Sequence, residues 1–302
     1  MDSSAQVDIS LPFGLIDFDE ARVLSRRSSI RCFLTGISKV RDITICRDTF
    51  KLIRQYSKSE PLPQFGYMSR VHITLCIFDL KWLPTFLESC ANLKYLTLVW
   101  NGNYDDHRPN PRISFSSVPE CVLSSLEIVD IKASITVCFP EMKVARISKV
   151  RDMTICRDTF KLIRQYSKLE PLPQFGYMSR LRVTLHVSDF EWLPTFLERC
   201  ANLKSLILVW NGNSKKMYND NRRISFPSVP ECLLSSLEFI DFRTSISGYF
   251  PEMRVVRYFL ENSAILKKLT LRLNYYCAQE KVFFKMLREI PRRSAACEVV
   301  VL

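Results

Sequence analysis

The sequence predicts an α/β solenoid built on a parallel sheet, and three observations predict it. Residues 37–100 overlay residues 147–210 without a gap, with 51 identities in 64 positions. Runs of the form Leu-x-x-Leu-x-Leu recur, at Val40-x-x-Ile43-x-Ile45, Leu93-x-x-Leu96-x-Leu98 and Leu266-x-x-Leu269-x-Leu271. Between these runs lie apolar residues at helical spacing. Strand starts are expected near 40, 71, 93, 126, 150, 181, 203, 237, 266 and 297. Strand-then-helix units repeating at that interval stack into a solenoid, because one unit cannot bury its own apolar face.

Taken in order, Leu15-Ile-Asp-Phe18 and Ser25–Leu34 read as the strand and helix of an earlier repeat. After the strand near 40, Phe50, Ile53 and Tyr56 line one helical face, closed by Pro61-Leu-Pro63. Trp82, Leu83, Phe86, Leu87 and Cys90 form a second apolar face, with Pro84 tolerated in a first turn. The duplicated block, about 110 residues, runs on to Arg146 and Arg257, so Phe139-Pro-Glu-Met142 matches Phe250-Pro-Glu-Met253. The first copy is cut there by Ile147-Ser-Lys-Val150, so its helix from Pro140 is expected to be short. The helix from Pro251 should run further, with Met253, Val256, Phe259 and Leu260 inward. Val282, Phe283, Met286, Leu287 and Ile290 make a last apolar face, stopped by Pro291.

The two copies also test which way the strands face. In Val71–Ile77 the odd positions should point to the core and the even ones to an open face. Against Leu181–Val187, the odd positions change mildly (Val71 to Leu181, Ile73 to Val183) and the even ones radically (His72 to Arg182, Cys76 to His186). Tyr95 becomes Ser205 and Thr97 becomes Ile207, again off the Leu positions. A packed core admits only swaps that preserve volume, whereas a solvated face admits nearly any. His72, Tyr95, Thr97, Arg182, His186 and Ile207 are therefore the expected partner-binding residues. Trp100, at a strand end, is a further aromatic with packing as its default role.

Composition narrows the chemistry. The seven glycines are too scattered to build a phosphate-cradling loop or a dinucleotide fingerprint. The eleven cysteines form no Cys-x-x-Cys pair, and the start Met1-Asp2-Ser3-Ser4 lacks a basic and apolar leader. A reducing cytoplasmic or nuclear compartment is expected, with Cys90 and Cys200 as core residues and no membrane span. His72, His107 and His186 have no ligand spacing, so no metal site and no cofactor are expected. Asp105-Asp106 and Asp17-Phe-Asp-Glu20 read as solvated charge, and no catalytic residue is assigned. The formal net charge of +12 divides as −1 over 1–36, +3 over 37–146, +6 over 147–257 and +4 over 258–302. Basic residues cluster only in pairs such as Lys215-Lys216, without interleaved aromatics, so nucleic acid is not the expected partner.

Several stretches resemble the plant F-box/FBD/leucine-rich-repeat proteins. They are Leu83-Pro-Thr-Phe-Leu-Glu-Ser-Cys-Ala-Asn-Leu-Lys94, Glu231-Cys-Leu-Leu-Ser-Ser-Leu-Glu238, Val256-Arg-Tyr-Phe-Leu-Glu-Asn-Ser263 and Ile290-Pro-Arg-Arg-Ser294. The resemblance implies a leucine-rich-repeat-like solenoid, a single elongated domain capped by a C-terminal FBD module. Its parts would be a partial repeat at 1–36, a first repeat copy at 37–146 ending in a truncated FBD start, a second at 147–235, and the FBD module at 236–302. It also implies a non-enzymatic scaffold that holds a protein substrate for an SCF-type ubiquitin ligase. Residues 1–36 are too short for an F-box, so the Skp-type adaptor is not expected as a partner. The alternative is a degenerate interaction or structural protein with no ubiquitination role.

Overall fold

Ile43 and Ile45 alternate with Asp42 and Thr44, and Val71, Ile73 and Leu75 with Arg70, His72 and Thr74. A strand with this period turns one set of side chains to each side, so a single layer of helices buries only one set. The computed structural model follows that rule. It describes residues 6–9, 26–75, 79, 82–100, 124–133, 150–169, 171–186, 189–210, 224–246, 250–273 and 280–302. The chain forms two units, Met1–Val150 and Arg151–Leu302, divided four residues past the start of the second sequence copy.

In the first unit the elements are β1 (Gln6–Ile9), α1 (Arg27–Ile37), β2 (Asp42–Ile45), α2 (Arg47–Tyr56), β3 (Arg70–Leu75), α3 (Leu83–Glu88), β4 (Tyr95–Trp100) and β5 (Ile128–Ala133). Each strand pairs in parallel with the next in sequence. The second unit has β6 (Asp152–Ile155), α4 (Arg157–Tyr166), β7 (Arg180–Leu185), α5 (Leu193–Leu197), β8 (Ser205–Trp210), α6 (Glu231–Ser235), β9 (Phe239–Ile246), α7 (Phe250–Asn262), β10 (Lys268–Leu273), α8 (Glu280–Glu289) and β11 (Glu298–Val301). Its described pairs are again parallel and sequential. Each of the ten strand starts expected from 40 to 297 has a strand beginning within two residues of it, and β1 is an additional strand. The strand expected at Leu15–Phe18, the helix from Pro140, His107 and the Asp105-Asp106 and Asp17–Glu20 carboxylates lie outside the described residues.

The core of each repeat is aromatic as well as aliphatic. Phe86 of α3 meets Phe50 of α2 at 5.5 Å, Phe65 of the connecting turn at 5.7 Å and Trp82 at 6.0 Å. The second copy repeats this cluster, with Phe196 at 5.6 Å from both Phe160 and Phe175 and 5.9 Å from Trp192. Tilted and edge-on rings at these distances add to simple area burial. Cys90 and Cys200 are fully buried, each with its thiol 3.9 Å from a methionine sulfur (Met68 and Met178), as expected of small hydrophobes. Pro84 and Pro194 sit in the first turns of α3 and α5, where their missing N–H is harmless.

Where the chain turns into each strand, side chains satisfy the carbonyls left by the turn before. Asn92 Nδ2 donates to Gly66 O at 2.8 Å and Asn202 Nδ2 to Gly176 O at 2.6 Å. Ser125 Oγ lies 3.1 and 3.0 Å from the Ala91 and Leu93 carbonyls, and Ser236 Oγ 2.7 and 3.0 Å from those of Ala201 and Leu203. Ser294 Oγ donates to Leu266 O at 2.7 Å. These bonds explain why Asn and Ser recur at fixed offsets before the strands.

Helix α7 runs 13 residues and buries Met253, Val256, Phe259 and Leu260, as the sequence predicts. Tyr258 on the same helix stacks on Phe226 at 4.0 Å and donates to Ser228 O at 2.8 Å, fastening the extended segment that precedes α6. One expectation for α8 is corrected. Phe283, Leu287 and Ile290 are buried, but Val282 is 46% exposed. Buried positions at i, i+4 and i+7 define a stripe, and Val282 is one 100° step outside it.

Two outcomes follow from this packing. Phe196→Ala should lower the unfolding free energy by about 3–5 kcal/mol, measured by urea denaturation, because the cavity opens between three other rings. The second concerns alkaline pH. Burial pushes the Cys232 thiol up to about 12 and raises Cys200 and the Tyr258 phenol further, whereas an unburied thiol ionises near 9.0. The folded chain holds these protons longer than the unfolded chain does. Their stabilising contribution is thus complete below pH 9 and is lost as pH rises toward 12. Melting temperature should fall above about pH 9, and less steeply in a Cys200→Ala/Cys232→Ala variant. An equal slope in the variant would refute the assignment.

Candidate protein-recognition face

The side of each sheet opposite the helices is lined by the polar half of the alternation. In the first unit, the strand register brings Asp42, Arg70, Tyr95 and Ile128 into one row and Thr44, His72, Thr97 and Asp130 into the next. Arg70 Nη1 lies 3.3 Å from Asp42 Oδ2, and its guanidinium carbon sits 4.6 Å from the centre of the Tyr95 ring. An arginine held by a carboxylate on one side and a ring on the other has surrendered rotamer freedom before any partner arrives.

The second unit repeats the rows with different chemistry. One row reads Asp152, Arg180, Ser205, Phe239, Lys268 and Glu298. The other reads Thr154, Arg182, Ile207, Asp241, Thr270 and Val300. Arg180 keeps its ion pair with Asp152 at 3.4 Å, but Ser205 offers it no ring. Asp241 accepts from Arg243 Nε at 2.6 Å and also from Arg272, whose guanidinium donates at 2.7 Å to Phe242 O. Two cations therefore share one carboxylate. At the strand entrances, Lys94 pairs with Glu127 at 3.5 Å and Lys267 with Glu238 at 2.7 Å. The hydrogen bond from Lys267 holds the Glu238 carboxyl below the usual carboxylate range.

Five of the six predicted partner-binding residues stand on these strands. His72, Tyr95, Thr97 and Ile207 are half-buried and Arg182 is exposed. Register makes His72 the direct neighbour of Thr97, and Arg182 that of Ile207. His186 lies elsewhere, because β7 stops at Leu185. Its backbone N–H donates to Asp189 Oδ2 at 2.9 Å and its carbonyl accepts from Asp189 N at 2.9 Å, bonds that take its backbone out of the strand ladder. Trp210, the counterpart of Trp100, packs on Phe190 at 4.7 Å and accepts at its carbonyl from Thr244 Oγ1 at 2.9 Å, a packing role.

Comparing the copies missed Asp42, Arg70, Asp241, Arg243 and Arg272. Asp42 and Arg70 are identical in the second copy, so a search for divergence passes over them. The alternation itself marks them, since each sits off the buried positions. Among the described residues no group of three His, Cys, Asp or Glu side chains is placed to hold a metal ion. No described helix is long and apolar enough to cross a membrane.

Comparison with known proteins agrees with this architecture. The family model described as FBD matches residues 227–271, from the segment under Tyr258 to strand β10. A protein of Arabidopsis thaliana described as an FBD-associated F-box protein is 40% identical over 302 residues, covering 100% of this chain and 43% of its own length. Two Arabidopsis thaliana proteins described as F-box/FBD/LRR-repeat proteins are also similar. One is 55% identical over 162 residues (53% of this chain, 37% of its own) and the other 48% over 255 residues (78% and 62%). The chain thus spans less than two thirds of the length of these relatives. No solved structure matches it. With the FBD match at residues 227–271 and the leucine-rich-repeat-like alternation of its described strands, the chain is similar to the plant F-box/FBD/leucine-rich-repeat proteins.

Proposed function

We propose that the open sheet face recognises a protein partner, and that the chain is the partner-holding part of a receptor in ubiquitin ligation without catalysing a reaction itself. One observation carries this reading. Between two copies whose buried strand positions change only mildly, the open-face strand positions change in kind: His72 against Arg182, Tyr95 against Ser205, Thr97 against Ile207. Side chains on regular strands hold their spacing, which suits recognition by a fixed pattern better than a loop does. The ligase setting comes from the relatives, which are described as F-box proteins. Within this reading, 147–235 is the second repeat block and 236–302 the FBD module.

The test is proximity labelling in plant cells with the full chain and with Tyr95→Ala and Ile207→Asp variants of matched melting temperature. A set of proteins labelled by the wild type and depleted about fivefold or more in the variants is expected, since central interface residues dominate binding. An unchanged set would refute recognition by this face. Labelled proteins whose ubiquitination changes in the two variants are the expected sign of the ligase setting, and unchanged ubiquitination would remove that setting. Turnover of a small substrate, lost on a single substitution, would overturn the non-catalytic reading.

A further inference from the structure

The two open faces differ in charge. Residues 151–302 hold 24 Lys and Arg against 15 Asp and Glu, so the second unit carries +9 of the chain's +12. On its open face, Arg180 is neutralised by Asp152, and Asp241 by one of its two arginines. Lys268 stands beside Glu298 in register. Arg182 is left over: it is exposed, flanked by Thr154 and Ile207, and no acid among the described residues pairs with it. The second cation around Asp241 is also in excess. In the first unit the position of Arg182 is His72, and Arg70 is matched by Asp42. The open face of the second unit thus carries two surplus positive charges, one from the change of His72 to Arg182 and one from Arg272 on β10, which lies beyond the duplicated block.

We propose that the open face of the second unit binds an acidic segment of a protein partner, with Arg182 as its specificity-determining residue. This rests on the reading of the open face as a recognition surface and names the chemistry of its partner. Geometry constrains the segment further. Arg182 on β7 and the Arg243/Arg272 pair on β9 and β10 are two to three strands apart, about 10–15 Å. An extended peptide crossing the strands covers that distance in about three to four residues. Between the two charges it passes Ile207, so the matching segment has acidic residues three or four apart with an aliphatic residue between them. A polyphosphate backbone fits less well. Its charge is continuous, and Asp152, Asp241 and Glu298 are interspersed along the same two rows.

The experiment is fluorescence anisotropy on the full chain with four probes. They are a labelled peptide carrying Glu at such spacing around a leucine, its Gln counterpart, a Lys counterpart, and a single-stranded oligonucleotide of similar length. The acidic peptide should bind, and the Gln and Lys peptides about tenfold or more weaker. Arg182→His installs the residue already accommodated at the same place in the first copy, so the fold is kept. It should weaken the acidic peptide about threefold or more. Equal binding of the Gln peptide overturns the proposal, as does an unchanged affinity in Arg182→His or an oligonucleotide that binds more tightly than the acidic peptide. If the acidic peptide fails to bind while Ile207→Asp still depletes the labelled set, the partner class is wrong and the recognition face stands. If neither depends on the face, both readings fall.

Discussion

The structure depends on burying one side of a parallel sheet while leaving the other wet. Parallel sheets in most α/β proteins are covered on both faces, and their strands are apolar throughout. Here a single cover of helices and turns demands strict alternation. Ile73, Val183 and Leu208 are buried, while Thr74, Arg182 and Ile207 between or beside them face outward. A register slip of one residue would exchange the two sets along a whole strand, exposing the aliphatics and burying arginine. Register is therefore fixed by burial, and it places the open-face residues in rows. The ordered open face is a by-product of the constraint that makes the core.

A solenoid must also satisfy the backbone at every turn, because neighbouring repeats bring turn carbonyls close to one another. The residues that do this are short and polar: Asn92, Asn202, Ser125, Ser236 and Ser294. Removing such a hydroxyl leaves carbonyls without a donor, at about 1–3 kcal/mol when the site is buried. Ser294, almost fully buried, is the strictest instance. The aromatic cluster above each turn has a complementary task. Phe65 and Phe175 project from the connecting turns into the rings of the helices, tying irregular backbone to regular.

Much of this was legible in the sequence, because alternation and helical spacing are both periodic. Strand positions, the inward face of α7 and the core role of Cys90 and Cys200 all follow from period alone. Val282 and His186 show where period stops informing. A helix stripe is narrower than a cluster of neighbouring apolar residues, so Val282 falls beside it. A strand ends where a side chain captures the backbone, and Asp189 does so at His186 through a contact that no periodicity records. The open-face ion pairs were hidden for a different reason. Asp42 and Arg70 recur unchanged as Asp152 and Arg180, and comparison of two copies reports only what differs.

The duplication separates two kinds of constraint that a single repeat would confound. Arg70 and Arg180 have the same carboxylate within 3.4 Å, yet one has a ring against it and the other does not. The ion pair alone is thus enough for the strand to form, and the tyrosine is surplus to folding at that position. The same reasoning applies to His72 and Arg182, which stand on strands of equal length with equally buried neighbours. A side chain that changes from an imidazole to a guanidinium without disturbing its strand is not there to stabilise it. Its effect is on whatever meets the face, and a guanidinium beside a half-buried aliphatic is the chemistry that would favour an acid beside an aliphatic.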